Sequence, residues 1–140
     1  MIHTVLTGLA AGVALLMTTV VSAAPLPRQF DYACEATLTI TAQVVGVRPP
    51  PRKVTRRYSV DLDRNLWCWN DDACKETLAP INRVTDEAVI FVDKPDRQFT
   101  IRTRDRKLNF VVPGLQTTTG TCRLEAYTPM AGPVADGTVP

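Results

Sequence analysis

The feature of this chain that most restricts its fold is a period of two. In Cys34-Glu35-Ala36-Thr37-Leu38-Thr39-Ile40-Thr41 the even residues are apolar or cysteine and the odd residues are polar. Side chains of an extended strand point alternately to opposite faces, so such a run builds a strand with one face buried and the other in water. The alternation returns in Tyr58-Ser59-Val60-Asp61-Leu62, in residues 98–104, in Lys107-Leu108-Asn109-Phe110 and in residues 121–127. No stretch of ten residues holds a helical period. The sequence therefore predicts an all-β domain of about seven or eight antiparallel strands, arranged as a meander, an open sheet or a small barrel.

Turn-forming residues punctuate these runs. Asp63-Arg64-Asn65 and Asp105-Arg106 suit tight hairpins, as does Asp86-Glu87 between residues 81–85 and 88–93. Three prolines in Arg48-Pro49-Pro50-Pro51-Arg52-Lys53 exclude helix and central strand alike, leaving a rigid extended connector. Thr117-Thr118-Thr119-Gly120-Thr121 reads as a polar loop entering the last strand. Residues 128–140, rich in proline and glycine and poor in apolar mass, read as a flexible C-terminal tail. One β domain over residues 24–127 is expected.

Residues 5–21 form an uncharged apolar run ending in Val21-Ser22-Ala23, the pattern of a secretory signal peptide cleaved after Ala23. The alternative, an uncleaved transmembrane anchor, follows from the length of the run. With cleavage the mature chain keeps no stable membrane anchor and works in the periplasm or outside the cell. His3, the only histidine, leaves with the signal segment. A mature chain without imidazole lacks Ser-His-Asp and Cys-His catalysis and histidine-ligated metals, so no enzyme, no cofactor and no metal are expected. Charge is blocked: residues 28–57 carry a net +4, residues 58–96 a net −5 and residues 97–140 a net +3. Alternating blocks in an exported chain argue against nucleic-acid binding. A monomer is the simplest expectation.

The mature chain holds four cysteines, Cys34, Cys68, Cys74 and Cys122. An even count in an exported chain reads as two disulfides, for which three pairings exist. Cys68–Cys74, closing a short loop, and Cys34–Cys122, joining the first strand to the last, are favoured. Cys34 shares a face with Ala36, Leu38 and Ile40, and Cys122 with Leu124 and Ala126, so both should point inward. The long link should stabilise by about 4–5 kcal/mol, the short one by less. Zinc or redox chemistry would need closer spacings, such as C-x-x-C. An EF-hand reading of the segment starting at Asp61 fails because Leu66 stands where the loop requires glycine.

Several residues are candidates for binding. Trp67 and Trp69 share one side of a strand and Cys68 the other. Either the indoles face outward and stack on a sugar or anchor a partner, or they fill the core with the disulfide at the rim. Arg97, Arg102, Arg104, Arg106 and Lys107 crowd one hairpin, and Arg52, Lys53, Arg56 and Arg57 follow the prolines. Together they would meet an anionic surface, or they only solvate a face and protect an edge. Asp61 and Asp63 are a conceivable carboxylate pair for glycoside hydrolysis, but they flank a turn, where aspartates usually shape the turn. Ser59, in an alternating strand, reads as surface filler.

Tyr32-x-Cys34, the run 58–62 leading to Trp67-Cys68, Ile81 with Val84-Thr85-Asp86, the basic strand at Ile101-Arg102, and Gly120-Thr121-Cys122 together resemble small uncharacterised exported β-rich proteins of Gram-negative bacteria. That resemblance spans most of the mature chain and implies a periplasmic β-sheet domain without an assigned activity. The Tyr-x-Cys opening, compact β domain and disulfides also bear a fainter resemblance to the periplasmic inhibitors of c-type lysozyme. The serine- and lysine-bearing loop those inhibitors insert into the enzyme has no counterpart here, so no residue role is carried over. The expected function is a small binding or structural protein whose partner is a protein or an envelope glycan. Inhibition or sensing of a cell-wall enzyme is the alternative, and a carboxylate-dependent hydrolase ranks behind both.

Overall fold

The computed structural model describes residues 24–42, 46–70, 74–75 and 77–135. The proposed signal segment therefore lies outside the described residues. The chain forms strands β1 (Gln29–Ile40), β2 (Arg52–Asp61), β3 (Leu66–Trp69), β4 (Ala79–Pro80), β5 (Arg83–Val84), β6 (Ala88–Lys94), β7 (Arg97–Arg102), β8 (Lys107–Val112) and β9 (Gln116–Glu125). They make one sheet ordered β4-β3-β2-β1-β9-β8-β7-β6-β5, antiparallel at every junction. The expected all-β meander forms, with two strands of only two residues raising the count to nine.

Neighbours in the sheet are consecutive in sequence except where β1 pairs β9. The two edge strands, β4 and β5, are separated in the chain only by Ile81 and Asn82. The sheet therefore curls into a half-barrel whose edges are joined by continuous backbone. Ile81 marks the junction: its N–H donates to the carbonyl of Asn65 at 3.0 Å, and its side chain is buried in the core.

Alternation decides what the curl encloses. Phe30, Tyr32, Cys34 and Ala36 of β1 face inward with Tyr58 and Val60 of β2, Val89 and Phe91 of β6, Phe99 and Ile101 of β7, Leu108 of β8 and Cys122 of β9. Rings from opposite parts of the sheet meet in this core. Tyr58 lies 4.8 Å from Phe99 between centroids, and Trp67 lies 5.1 Å from Phe91 and 5.3 Å from Phe99. These contacts require the sheet to bend back on itself, and aromatic pairs at such distances add to area burial.

Turn chemistry matches the hairpins. Asn65 and Arg106 take positive φ, of 57° and 55°, in the turns after β2 and after β7. Thr85 Oγ1 accepts the N–H groups of Glu87 and Ala88 at 3.2 and 3.0 Å, closing the turn before β6. Residues 48–51 are exposed and carry no regular structure, as the prolines demand.

Three expectations are corrected. Residues 117–121 are not a loop but part of β9. Threonine suits a pleated strand, and only Thr118 of these threonines is buried, so the apolar half of the alternation is missing while the strand remains. Residues 128–135 are not a loose tail. Gly132 donates to Cys74 at 2.8 Å, Leu78 to Pro133 at 2.8 Å and Ala135 to Leu78 at 2.9 Å. Met130 packs on Leu66, Cys68, Cys74 and Leu78, a second small core on the outer face of β3. Ser59 is not surface filler; it is fully buried beneath this cover.

Candidate functional surfaces

Both disulfides form as expected. Cys34–Cys122 spans 88 residues and Cys68–Cys74 spans six. They place the folded chain in an oxidising, non-cytoplasmic setting. Among the described residues, no helix is long and apolar enough to cross a membrane, and no group of three or more metal-ligating side chains gathers.

The sheet register separates the two tryptophans from the disulfide between them. Trp67 pairs with Val60 and Trp69 with Tyr58, so both indoles lie on the inner side while Cys68 lies in the outer core. Neither arrangement weighed from the sequence holds in full. Trp67 is half-buried among Tyr58, Phe91 and Phe99, with Nε1 donating to the carbonyl of Pro80 at 3.2 Å. Trp69, at the end of β3, stays 40% exposed, with the Arg56 guanidinium 5.2 Å from its ring centroid. A cation over an indole face is held by the ring quadrupole.

The basic hairpin does not act as one patch. Arg97 opens β7 opposite Lys94, at the far end from Arg104 and Arg106, which lie in the connection to β8. Arg106 contributes its carbonyl to the N–H of Cys122 at 2.9 Å. Arg102 binds Asp105 through both of its nitrogen arms, with Nε donating at 3.0 Å. Desolvation opposes the charge of Asp105, but Arg102, the Lys107 N–H and the charge of Lys107 hold its carboxyl below the usual range.

Arg102 and Lys107 do meet at one place. With Thr100, Asn109, Thr119 and Thr121 they line an open depression of about 580 Å³ on the outer face of β7, β8 and β9. Register aligns its floor, where Thr100 faces Asn109 and Asn109 faces Thr119, and continues the row beyond it, where Thr119 faces Thr37 and Thr37 faces Lys53. The resulting row of hydroxyl and amide groups crosses four strands and ends at Lys53 on β2. Among the described residues, no aromatic ring lines the depression. Such a surface offers hydrogen bonds and positive charge but no stacking platform.

The carboxylates considered for hydrolysis are engaged separately. Asp63 pairs with Arg28 at 2.8 Å. Asp61 is fully buried and accepts from Gln29 Nε2 at 3.0 Å, the Arg64 N–H at 3.0 Å and the Tyr127 hydroxyl at 3.4 Å. Burial opposes its charge, but the Arg64 N–H, the Gln29 amide, the charge of Arg64 and the Asp63 N–H outweigh that and hold the carboxyl below its ordinary value.

A second buried carboxylate went unsignalled in the sequence. Asp31, 0% exposed, accepts from Asn70 Nδ2 at 3.0 Å, from the Thr128 N–H at 3.0 Å and from the Thr128 hydroxyl at 2.6 Å. Asn70 also donates to Ser59 Oγ at 2.9 Å, and Arg57 reaches Asp31 at 3.5 Å and Glu125 at 2.7 Å. With its acceptor positions filled, the Asp31 carboxylate works as a clasp holding the segment after β9 against β1. The only hint in the sequence is Asp31 at a polar position of β1, which alternation alone assigns to solvent.

No protein-family model, curated protein or solved structure matches this chain.

Proposed function

We propose that this is an exported binding domain, working in the periplasm or outside the cell, that holds an acidic envelope glycan against its outer face. The observation that carries the reading is the depression lined by Thr100, Arg102, Lys107, Asn109, Thr119 and Thr121. Threonine hydroxyls and the asparagine amide both donate and accept, which matches sugar hydroxyls. Arg102 is already neutralised by Asp105, so Lys107 supplies the positive charge for a carboxylate or phosphate on the ligand. Residues 5–21, read as part of a signal peptide, support export, and the disulfides are consistent with it.

Titration with oligogalacturonate, followed by amide NMR shifts, tests this. The amides of Thr100, Asn109, Thr119 and Thr121 should move together, and neutral maltohexaose should bind at least tenfold more weakly. Lys107→Ala should weaken binding by about tenfold without changing the fold, the size expected of one charge-assisted contact. Equal affinity for the acidic and neutral sugars, or shifts elsewhere on the surface, would reject the assignment.

A further inference from the structure

Among the described residues, β2 is paired on both sides along only part of its length. Toward β1 its ladder runs from Arg52 to Asp61; toward β3 it runs only from Tyr58 to Asp61. Among the described residues, no strand pairs with 52–57 on the β3 side. The hydrogen-bond pattern fixes which backbone groups face that side. The Cys122 N–H bonds to Arg106 toward β8, so the Cys34–Cys122 pair exchanges no ladder bonds, and Cys34 turns its N–H and C=O toward its β2 partner, Arg56. The Leu62 N–H bonding to Arg28 at 2.8 Å follows the same phase. By alternation, Lys53, Thr55 and Arg57 point their N–H and C=O groups away from β1. One of these carbonyls has found a substitute donor: Arg56 Nη1 reaches Thr55 O at 3.1 Å.

An open strand edge recruits another strand, and its flanking charges select which one. The edge carries Arg52, Lys53, Arg56 and Arg57. Arg57 is held by Asp31 and Glu125, while Arg52, Lys53 and Arg56 form no ion pair among the described residues. A second copy of β2 would set this basic run against itself, which like-charge repulsion disfavours. An extended acidic segment meets the opposite condition. Its inward side chains would lie over Arg56 and the exposed rim of Trp69, where β3 ends.

We propose that the open edge of β2, through Lys53, Thr55 and Arg57, takes an extended acidic peptide segment of a partner protein as an added strand in line with β3. This surface is separate from the depression on β7, β8 and β9, and the proposal does not depend on that reading.

The test uses the full oxidised chain and a fluorescein-labelled seven-residue peptide alternating glutamate and valine, with a lysine–valine peptide as control. The acidic peptide should bind saturably and at least tenfold more tightly than the lysine peptide. On binding, the amides of Lys53, Thr55 and Arg57 should gain hydrogen-exchange protection, while those of Val54 and Arg56, already bonded to β1, should not. Thr55→Pro removes an N–H that the β1 ladder does not use and should weaken binding at least tenfold with the β circular-dichroism spectrum retained. N-methylation of alternate peptide residues on the bonding edge should do the same without altering the protein, which keeps the test decisive if the proline variant misfolds. Binding that survives N-methylation, unchanged exchange at Thr55, or no saturation at millimolar peptide would each overturn the proposal.

Discussion

Cys34 and Cys122 stand directly opposite in the β1–β9 ladder, with their Cα atoms 3.9 Å apart. Among the described residues, the β1–β9 junction is the one place where strands distant in sequence pair, so the disulfide fastens the contact with the highest closure entropy. Cys68–Cys74 instead staples a local excursion onto the outer face. The chain-entropy relation gives about 4.6 kcal/mol for the long link and about 2.2 kcal/mol for the short one. The double variant Cys34→Ala/Cys122→Ala should therefore lose roughly twice the stability lost by Cys68→Ala/Cys74→Ala. Urea unfolding at neutral pH checks the order, and a reversed order would mean that the outer cover, not the ring closure, governs stability.

The same junction explains a glycine. At Gly120 an added Cβ would lie 2.2 Å from the Glu35 carbonyl oxygen and 2.6 Å from the Ala36 Cβ. The nearest atom belongs to the backbone of β1, so the contact cannot be relieved by turning a side chain. Gly120→Ala should cost about 2–3 kcal/mol, the upper part of the range for overpacking, and should loosen the β1–β9 pairing. Increased amide exchange at Thr119 and Thr121, bonded across this ladder region, would report it. A variant as stable as the parent would show that the two strands can move apart without penalty.

Tyr32 carries a different kind of tension. It is fully buried beside Phe30, and its hydroxyl finds no partner among the described residues. Burial drives its ionisation well above the ordinary tyrosine range, opposed by the charge of Arg106. An unpaired buried hydroxyl costs about 1–3 kcal/mol in desolvation, and phenylalanine removes the hydroxyl while keeping the ring. Tyr32→Phe should leave stability unchanged or raise it by up to about 1 kcal/mol. Thermal and urea unfolding of the two proteins decide the matter; a clear loss would reveal a partner for the hydroxyl.

What could be read from the sequence was whatever a single strand encodes by itself. The alternation from Cys34 to Thr41 places Cys34 on the apolar face, and the matching phase at Cys122 gives the pairing that forms. The hairpins at 63–65, 86–87 and 105–106 follow from their turn residues. The outer cover could not be read this way. Asp31 and Ser59 occupy polar positions, and it is the return of Asn70, Cys74, Leu78 and residues 128–135 over that face that buries them. The facing of Trp69 is not encoded in its own strand for a related reason: the turn at 62–65 sets the phase of β3, and a one-residue difference would exchange indoles for disulfide. The depression is half visible in the sequence, since Arg102 and Lys107 share a hairpin, but its polar floor needs the register of β7, β8 and β9.

Asp61 links this cover to pH. Its folded-state pKa lies below the ordinary value because the Arg64 N–H, the Gln29 amide and the charge of Arg64 outweigh the desolvation that pushes the other way. A carboxyl with a depressed folded pKa contributes stability that is fully present above its unfolded pKa, about 3.9, and is lost as pH falls through the lower folded value. The parent protein should therefore lose stability steeply below about pH 4. Asp61→Asn should be less stable than the parent at pH 7, because the amide cannot offer a charge to Arg64 or accept as strongly from Gln29. Its stability should also vary less with pH on the acid side, so the gap between the two proteins narrows as pH falls. Urea midpoints at pH 7, 5, 4 and 3 measure that gap directly. Curves that stay parallel through this range would show that other carboxylates, and not Asp61, carry the acid sensitivity of the fold.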